Sequence, residues 1–250
     1  MTDFSPIDAA LTTTRPRFPG DIQINKSRFA LKELANYDGS HDYAYSWGYT
    51  IFRTLYGPDS DEDFARAIER LAVYAKYFTQ NDPHDSRPDE ELWSRYYSEV
   101  VQDEERLSGA TESEVGDMFD AWIRDHRRAA TIANGSLRPN SRFLFCLMLD
   151  EESIENILEL PADPRRRNFD YSASWVKVIS NTVKTTEGGA SERWWLRVGV
   201  TDYLWPLWFS PSDPDTMIEE LGWEDEEDGV RNLWGDPDLW MREINAQYEG

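Results

Sequence analysis

Between Tyr43 and Phe78 the hydrophobic period of the chain changes from two residues to about 3.6, and this switch limits the folds open to it. Tyr45, Trp47, Tyr49 and Ile51 fall on one side of an extended stretch, and Ser46, Gly48, Thr50 and Phe52 on the other, which predicts a strand over Tyr43–Thr54. Gly57-Pro58 ends it. Ser60 is placed to cap a helix whose first turn is Asp61-Glu62-Asp63, the charge sign that suits a helix N-terminus. Phe64, Ile68, Leu71, Ala75 and Phe78 then recur at helical spacing through Thr79. A strand that feeds straight into an amphipathic helix buries both only if the helix packs on a sheet.

Further elements extend this plan. A helix is predicted from Asp89 to Leu107, with Leu92, Trp93, Tyr96, Tyr97 and Val100 inward. Thr111-x-x-Glu114 is a capping box, and the helix behind it carries Val115, Met118, Phe119, Trp122 and Ile123 on one stripe. Phe143–Leu149 is a continuous apolar run, the mark of a strand buried on both faces. Asp150 or Ser153 opens a short helix stopped by Pro161. Trp175–Ser180 and Trp194–Val200 read as strands around a Gly188-Gly189 loop, with Trp205–Phe209 extending the second past Pro206. Helices are expected to begin at Asp213-Pro214 and Asp236-Pro237. The order implies an α+β fold with a mixed or antiparallel sheet of about four strands layered against helices, in a ferredoxin-like arrangement. Residues 1–40 are expected to be an irregular lead-in, and 41–250 one domain with a helical insertion at about 81–138.

The charged fraction is 30%, but aromatics make up 14% and include 11 Trp, which argues against disorder. A net charge of −22 disfavours nucleic acid and anionic membranes as partners. A single cysteine permits no intrachain disulfide, and one cysteine with three histidines cannot furnish the usual zinc sets. The N-terminal stretch lacks the apolar segment of a secretory signal, and no apolar run has spanning length. A cytoplasmic protein with no cofactor is the expectation.

No phosphate-binding loop, dinucleotide fingerprint or nucleophile elbow is present. Asn81-Asp82-Pro83-His84-Asp85 reads as a solvated loop before a metal site, and His41-Asp42 lacks companion ligands. His126 suits the end of its helix, Cys146 sits in the apolar strand as a core thiol, and Arg124, Arg127, Arg128 and Arg165-Arg166-Arg167 suit carboxylate pairing. Two strand cations stand out. Arg53 shares a face with Tyr45 and Trp47, and Lys177 shares one with Trp175. A cation on an apolar face must be paired, stacked on a ring or directed into a cavity. Arg53, Tyr45, Trp47, Trp175, Lys177 and Trp195 are therefore the candidate ligand-binding residues, for a small apolar molecule or a protein partner. A non-catalytic binding protein is the first functional expectation. The second is a cofactor-independent isomerase or cyclase of secondary metabolism, since such enzymes rest on pocket shape and leave little motif trace.

The stretch Tyr45-Ser-Trp-Gly-Tyr-Thr-Ile-Phe-Arg-Thr-Leu-Tyr-Gly-Pro-Asp-Ser-Asp61, with the Leu149-Asp-Glu-Glu-Ser153 turn and the Trp175-Val-Lys-Val178 strand, resembles a widespread family of fungal intracellular proteins. That family joins an aromatic-Gly-aromatic strand ending in Arg-Thr to a Ser-Asp-capped helix. The resemblance implies a fungal-type intracellular origin and brings no activity or site with it.

Overall fold

The computed structural model describes residues 13–21, 25–37, 43–80, 85–126, 140–166, 174–185, 191–201, 203–209, 223–224 and 231–233. In chain order the elements are α1 (Lys26–Asn36), β1 (Thr50–Arg53), α2 (Ser60–Phe78), α3 (Arg87–Ser94), β2 (Glu99–Val101), α4 (Glu104–Leu107), α5 (Glu112–His126), β3 (Phe145–Leu149), α6 (Glu151–Glu159), β4 (Trp175–Thr185), β5 (Ser191–Gly199), α7 (Leu204–Trp208), β6 (Trp223–Glu224) and β7 (Arg231–Leu233). A 3-10 turn, Ser141–Phe143, precedes β3.

The fold is α+β, with a mixed sheet packed against helices. The sheet has seven strands among the described residues, in the order β2-β1-β3-β4-β5-β7-β6, where the sequence suggests about four. β1 lies between two parallel partners, β2 and β3, whereas β4 runs antiparallel to both β3 and β5, β5 pairs β7 in parallel, and β6 closes the edge antiparallel to β7. A split βαβ arrangement places an antiparallel strand between its parallel pair, so the ferredoxin-like order is not the one formed.

Strand alternation sorts the side chains onto two faces. Ile51, Leu147, Val178 and Leu196 are register partners across four strands, and all four belong to the larger core. That face is covered by α1, α2, α3, α6 and α7 through residues such as Leu31, Leu71, Leu92, Ile157 and Trp208. The neighbouring rows, Thr50–Cys146–Ile179–Trp195 and Phe52–Met148–Lys177–Arg197, occupy the second face. There Leu107 of α4 and Val115, Phe119 and Trp122 of α5 close a smaller core. β3 is buried at every position, as its unbroken apolar run requires.

Several elements differ from the sequence reading. β1 starts at Thr50, because Gly48 has φ +119 and Tyr43–Tyr45 form a turn. The helix expected over 89–107 stops at Ser94, where Trp47 takes a parallel bridge to Tyr96, and Glu99–Val101 pairs with β1 as an edge strand. Within the presumed irregular lead-in, Lys26–Asn36 is a helix capped by Asn25 that places Ala30, Leu31 and Leu34 in the core. Leu204–Trp208 is helical rather than a strand extension, since proline is tolerated in a first helical turn. Asp59, in the left-handed region at φ 67, takes the N-cap position of α2 in place of Ser60. The helices expected from Asp213 and Asp236 lie outside the described residues.

Candidate functional site

The sheet separates the six candidate residues of the sequence reading. Tyr45 lies in the turn before β1 and Trp47 is fully buried, its indole N–H donating to the Leu92 carbonyl at 2.6 Å. Arg53 follows on the larger-core face, since its register partner is Leu149. Lys177 pairs with Met148, and Trp195 with Ile179, on the second face. Alternation places Trp175 there too, two residues before Lys177. No single site can therefore hold Arg53 together with Lys177.

Both cations are committed to the fold. Arg53 donates to the Leu55 carbonyl at 2.8 Å, Gln102 at 3.3 Å, Ser60 Oγ at 2.8 Å and Asp61 at 2.6 Å. Its guanidinium also lies 4.7 Å from the ring centres of Tyr56 and Phe64. Lys177 Nζ lies 2.7 Å from both Glu112 and Asp150 and 5.0 Å from the Trp195 ring centre. Burial alone would lower the Lys177 pKa, but the hydrogen bonds to Asp150 and Glu112 outweigh it and hold the pKa above 10.5. An ammonium held this firmly is a poor base or nucleophile. The two carboxylates instead fix the start of α5 and the cap of α6 to β4.

A different set of residues comes together at the other end of the second face. Arg142, in the turn before β3, is fully buried. One guanidinium nitrogen, Nη2, donates to the Tyr97 carbonyl. Nε and Nη1, which carry three of the five N–H groups, have no hydrogen-bond partner among the described residues. The guanidinium lies 4.9 Å from the ring centre of Tyr43 and 5.6 Å from that of Tyr97. Tyr43 stacks on Tyr97 at 5.6 Å and on His126 at 6.3 Å, and Trp122 stacks on His126 at 4.3 Å. The Trp122 indole N–H, also buried, has no acceptor. Thr50 Oγ1 is unpartnered on the same sheet face.

Glu99 supplies the cluster's negative charge without filling Arg142. It accepts from the Tyr43 hydroxyl at 3.1 Å and lies 4.0 Å from His126 Nε2, while His126 Nδ1 bonds the Trp122 carbonyl at 2.9 Å. Burial, with the Glu99 charge next, raises the Tyr43 pKa well above its ordinary value. Burial pulls the Arg142 pKa down to about 10. Exposure is graded: Tyr43, Tyr97, Glu99 and His126 are half-buried, whereas Trp122 and Arg142 lie beneath.

Sequence reasoning missed this cluster because its members come from a turn, an edge strand, a helix end and a 3-10 turn, with no fixed spacing. Arg142 directly before the apolar run of β3 was the available signal. His41 and His84 lie outside the described residues, and His126 is tied to its helix carbonyl and its stacking partners. Among the described residues no group of His, Cys, Asp and Glu could hold a metal ion, and no helix is long and apolar enough to cross a membrane.

In comparisons with known proteins, no family model, no curated protein and no solved structure matches the chain.

Proposed function

We propose that this chain is a cytoplasmic, non-catalytic binding protein that takes a small, flat, largely apolar molecule at the Tyr43–Tyr97–Trp122–His126–Arg142 cluster. The observation that carries this reading is Arg142 itself. A buried guanidinium with three unmatched donors is costly, and such groups belong at places where a ligand completes them. Four aromatic side chains around it offer stacking surface at low entropic cost. The Lys177 and Arg53 sites lack this property, because carboxylates and carbonyls already take their donors.

The test is native mass spectrometry of the chain after incubation with a cell extract. A bound small molecule is expected on the wild type and on an Arg66→Met control, which loses only an exposed pair with Asp63. It should be absent from Arg142→Met. Equal capture by all three proteins would remove the cluster from the reading.

A second reading is a cofactor-independent proton-transfer enzyme, such as an isomerase. It is favoured by the contact of Tyr43 with Glu99 and by His126 at 4.0 Å, a possible acid–base group beside a ligand. Glu99→Gln separates the two readings: a binding protein keeps its captured molecule unchanged, whereas an enzyme would accumulate substrate in place of product.

A further inference from the structure

We infer that the ligand's polar end is a carboxylate, received by the unmatched donors of Arg142, with its flat body among the rings of Tyr43, Tyr97 and Trp122. This inference rests on the binding reading above and names its ligand class.

The first observation is the kind of group left unsatisfied. Arg142 Nε and Nη1 and Trp122 Nε1 are all donors, so the missing partner is an acceptor with several lone pairs. A carboxylate offers about four such positions and matches guanidinium geometry. The second observation is charge. Among the described residues no carboxylate lies within ion-pair distance of Arg142. Glu99, whose charge acts on Arg142 through space, spends one oxygen on Tyr43 and sets the other 4.0 Å from His126. The buried cation is therefore partly compensated through space and, among the described residues, lacks a direct counter-ion. A neutral carbonyl would satisfy donors and leave that imbalance, whereas a carboxylate corrects both. Third, the rings are nearly parallel where they stack: Tyr43 lies 16° from Tyr97 and 16° from Trp122. Flat surfaces at one inclination suit a flat body better than a branched one.

Glu99 also opposes an anion by its own charge. Its removal should help an acid and leave a neutral analogue unaffected.

Isothermal titration with 2-naphthoate and 2-naphthamide tests the assignment on the full chain, because the two probes share a body and differ in charge. Naphthoate is expected to bind about tenfold or more tightly than the amide, the size of one charged hydrogen-bonded contact. Arg142→Met should erase that preference, weakening naphthoate by more than it weakens the amide. Glu99→Gln should tighten naphthoate alone. Arg142→Lys, which keeps charge and loses the planar fork, should keep part of the preference and serves if the methionine variant does not fold. Equal binding of acid and amide by wild type would overturn the carboxylate and leave the ring site standing. No heat with either probe up to about 1 mM would overturn the site as well.

Discussion

Arg53 is 4% exposed, yet its carboxylate partner Asp61 has a side chain 89% exposed, and that asymmetry sets what its loss would do. Arg53→Met strands no buried charge, because Asp61 simply rehydrates. What disappears is the hydrogen bonding to Leu55 and Ser60 and the stacking on Tyr56 and Phe64, so the expected cost is about 2–3 kcal/mol rather than the 3–5 of a broken buried pair. Urea melts should show that loss, and naphthoate titration should show the Arg142 site unaffected. Arg95 gives the contrast. It is 1% exposed and its partner Glu91 4%, with Arg95 Nη2 donating to Glu91 at 2.8 Å. Arg95→Met should cost about 3–5 kcal/mol, since Glu91 would remain buried with its charge poorly met. Glycine is required at position 48 for two reasons. Its φ is +119, and a Cβ there would sit 2.5 Å from the Tyr97 carbonyl oxygen, the acceptor that holds Arg142. Gly48→Ala should therefore destabilise the fold by about 2–3 kcal/mol and weaken naphthoate binding together with it, as paired melts and titrations would show.

Among the elements, α5 crosses the second face from the Lys177 site at its first turn to the Trp122–His126 ring stack at its last. Its capping box forms as the sequence predicts, with Thr111 N–H donating to Glu114 at 2.8 Å. Gly116 lets it approach the sheet, for a Cβ there would meet Arg193 Nε at 2.3 Å. The start of α5 and the cap of α6 are joined through Lys177, and the strength of that joint depends on pH. Burial would raise the Asp150 pKa, but bonds from Lys177 and Ser153 more than reverse it and hold it below 3.8. That contribution is present above the unfolded value and lost as pH falls through the folded one. Lys177, raised above 10.5, adds stability that is lost only as pH rises past that range. Asp150→Asn keeps an N-cap able to accept from Ser153 N–H, so it isolates the charge. At pH 7 it should cost about 1–2 kcal/mol, the low end for a charged bond in a half-solvated place. The difference from wild type should shrink in urea melts as pH falls below the ordinary aspartate range and through the lowered folded value. Legibility in the sequence followed the same divide between local and distant causes. α2, α5, β3 and α6 were readable because their periods, caps and acidic first turns are written within a few residues. β2 was not, because Tyr96, Tyr97 and Val100 fit a helix stripe as well as a strand, and only pairing with β1 decides between them. That Arg53 and Lys177 must be paired, stacked or directed into a cavity was legible, but which of these each does, and that they lie on opposite faces, is shown only by the register and the contacts. Arg142 could not be recognised as the unmatched one, since a missing partner is a property of the folded neighbourhood.

At the scale of the whole molecule, 48 acidic residues against 26 Lys and Arg leave a net charge of −22, and this governs what approaches the surface. The tight ion pairs spend basic side chains on the protein's own carboxylates: Arg193 holds Asp117 and Asp120, Lys177 holds Glu112 and Asp150, and Arg28 holds Asp85. Those cations are not available to neutralise phosphates. Nucleic-acid affinity grows with the number of phosphates neutralised, so this composition should give none of consequence. The same excess of negative charge disfavours a small carboxylate at long range, which slows its encounter with Arg142 more than it weakens the bound state. Two opposite salt responses follow. Raising salt from about 20 to 300 mM screens that repulsion and should speed naphthoate association in stopped-flow measurements, with little change in dissociation. Any residual binding to duplex DNA or RNA should weaken over the same range. Gel-shift titration is expected to show no complex up to about 10 µM protein at physiological salt. A sub-micromolar complex would mean that basic side chains gather on a surface beyond the described residues, and the partner class inferred from net charge would then be wrong.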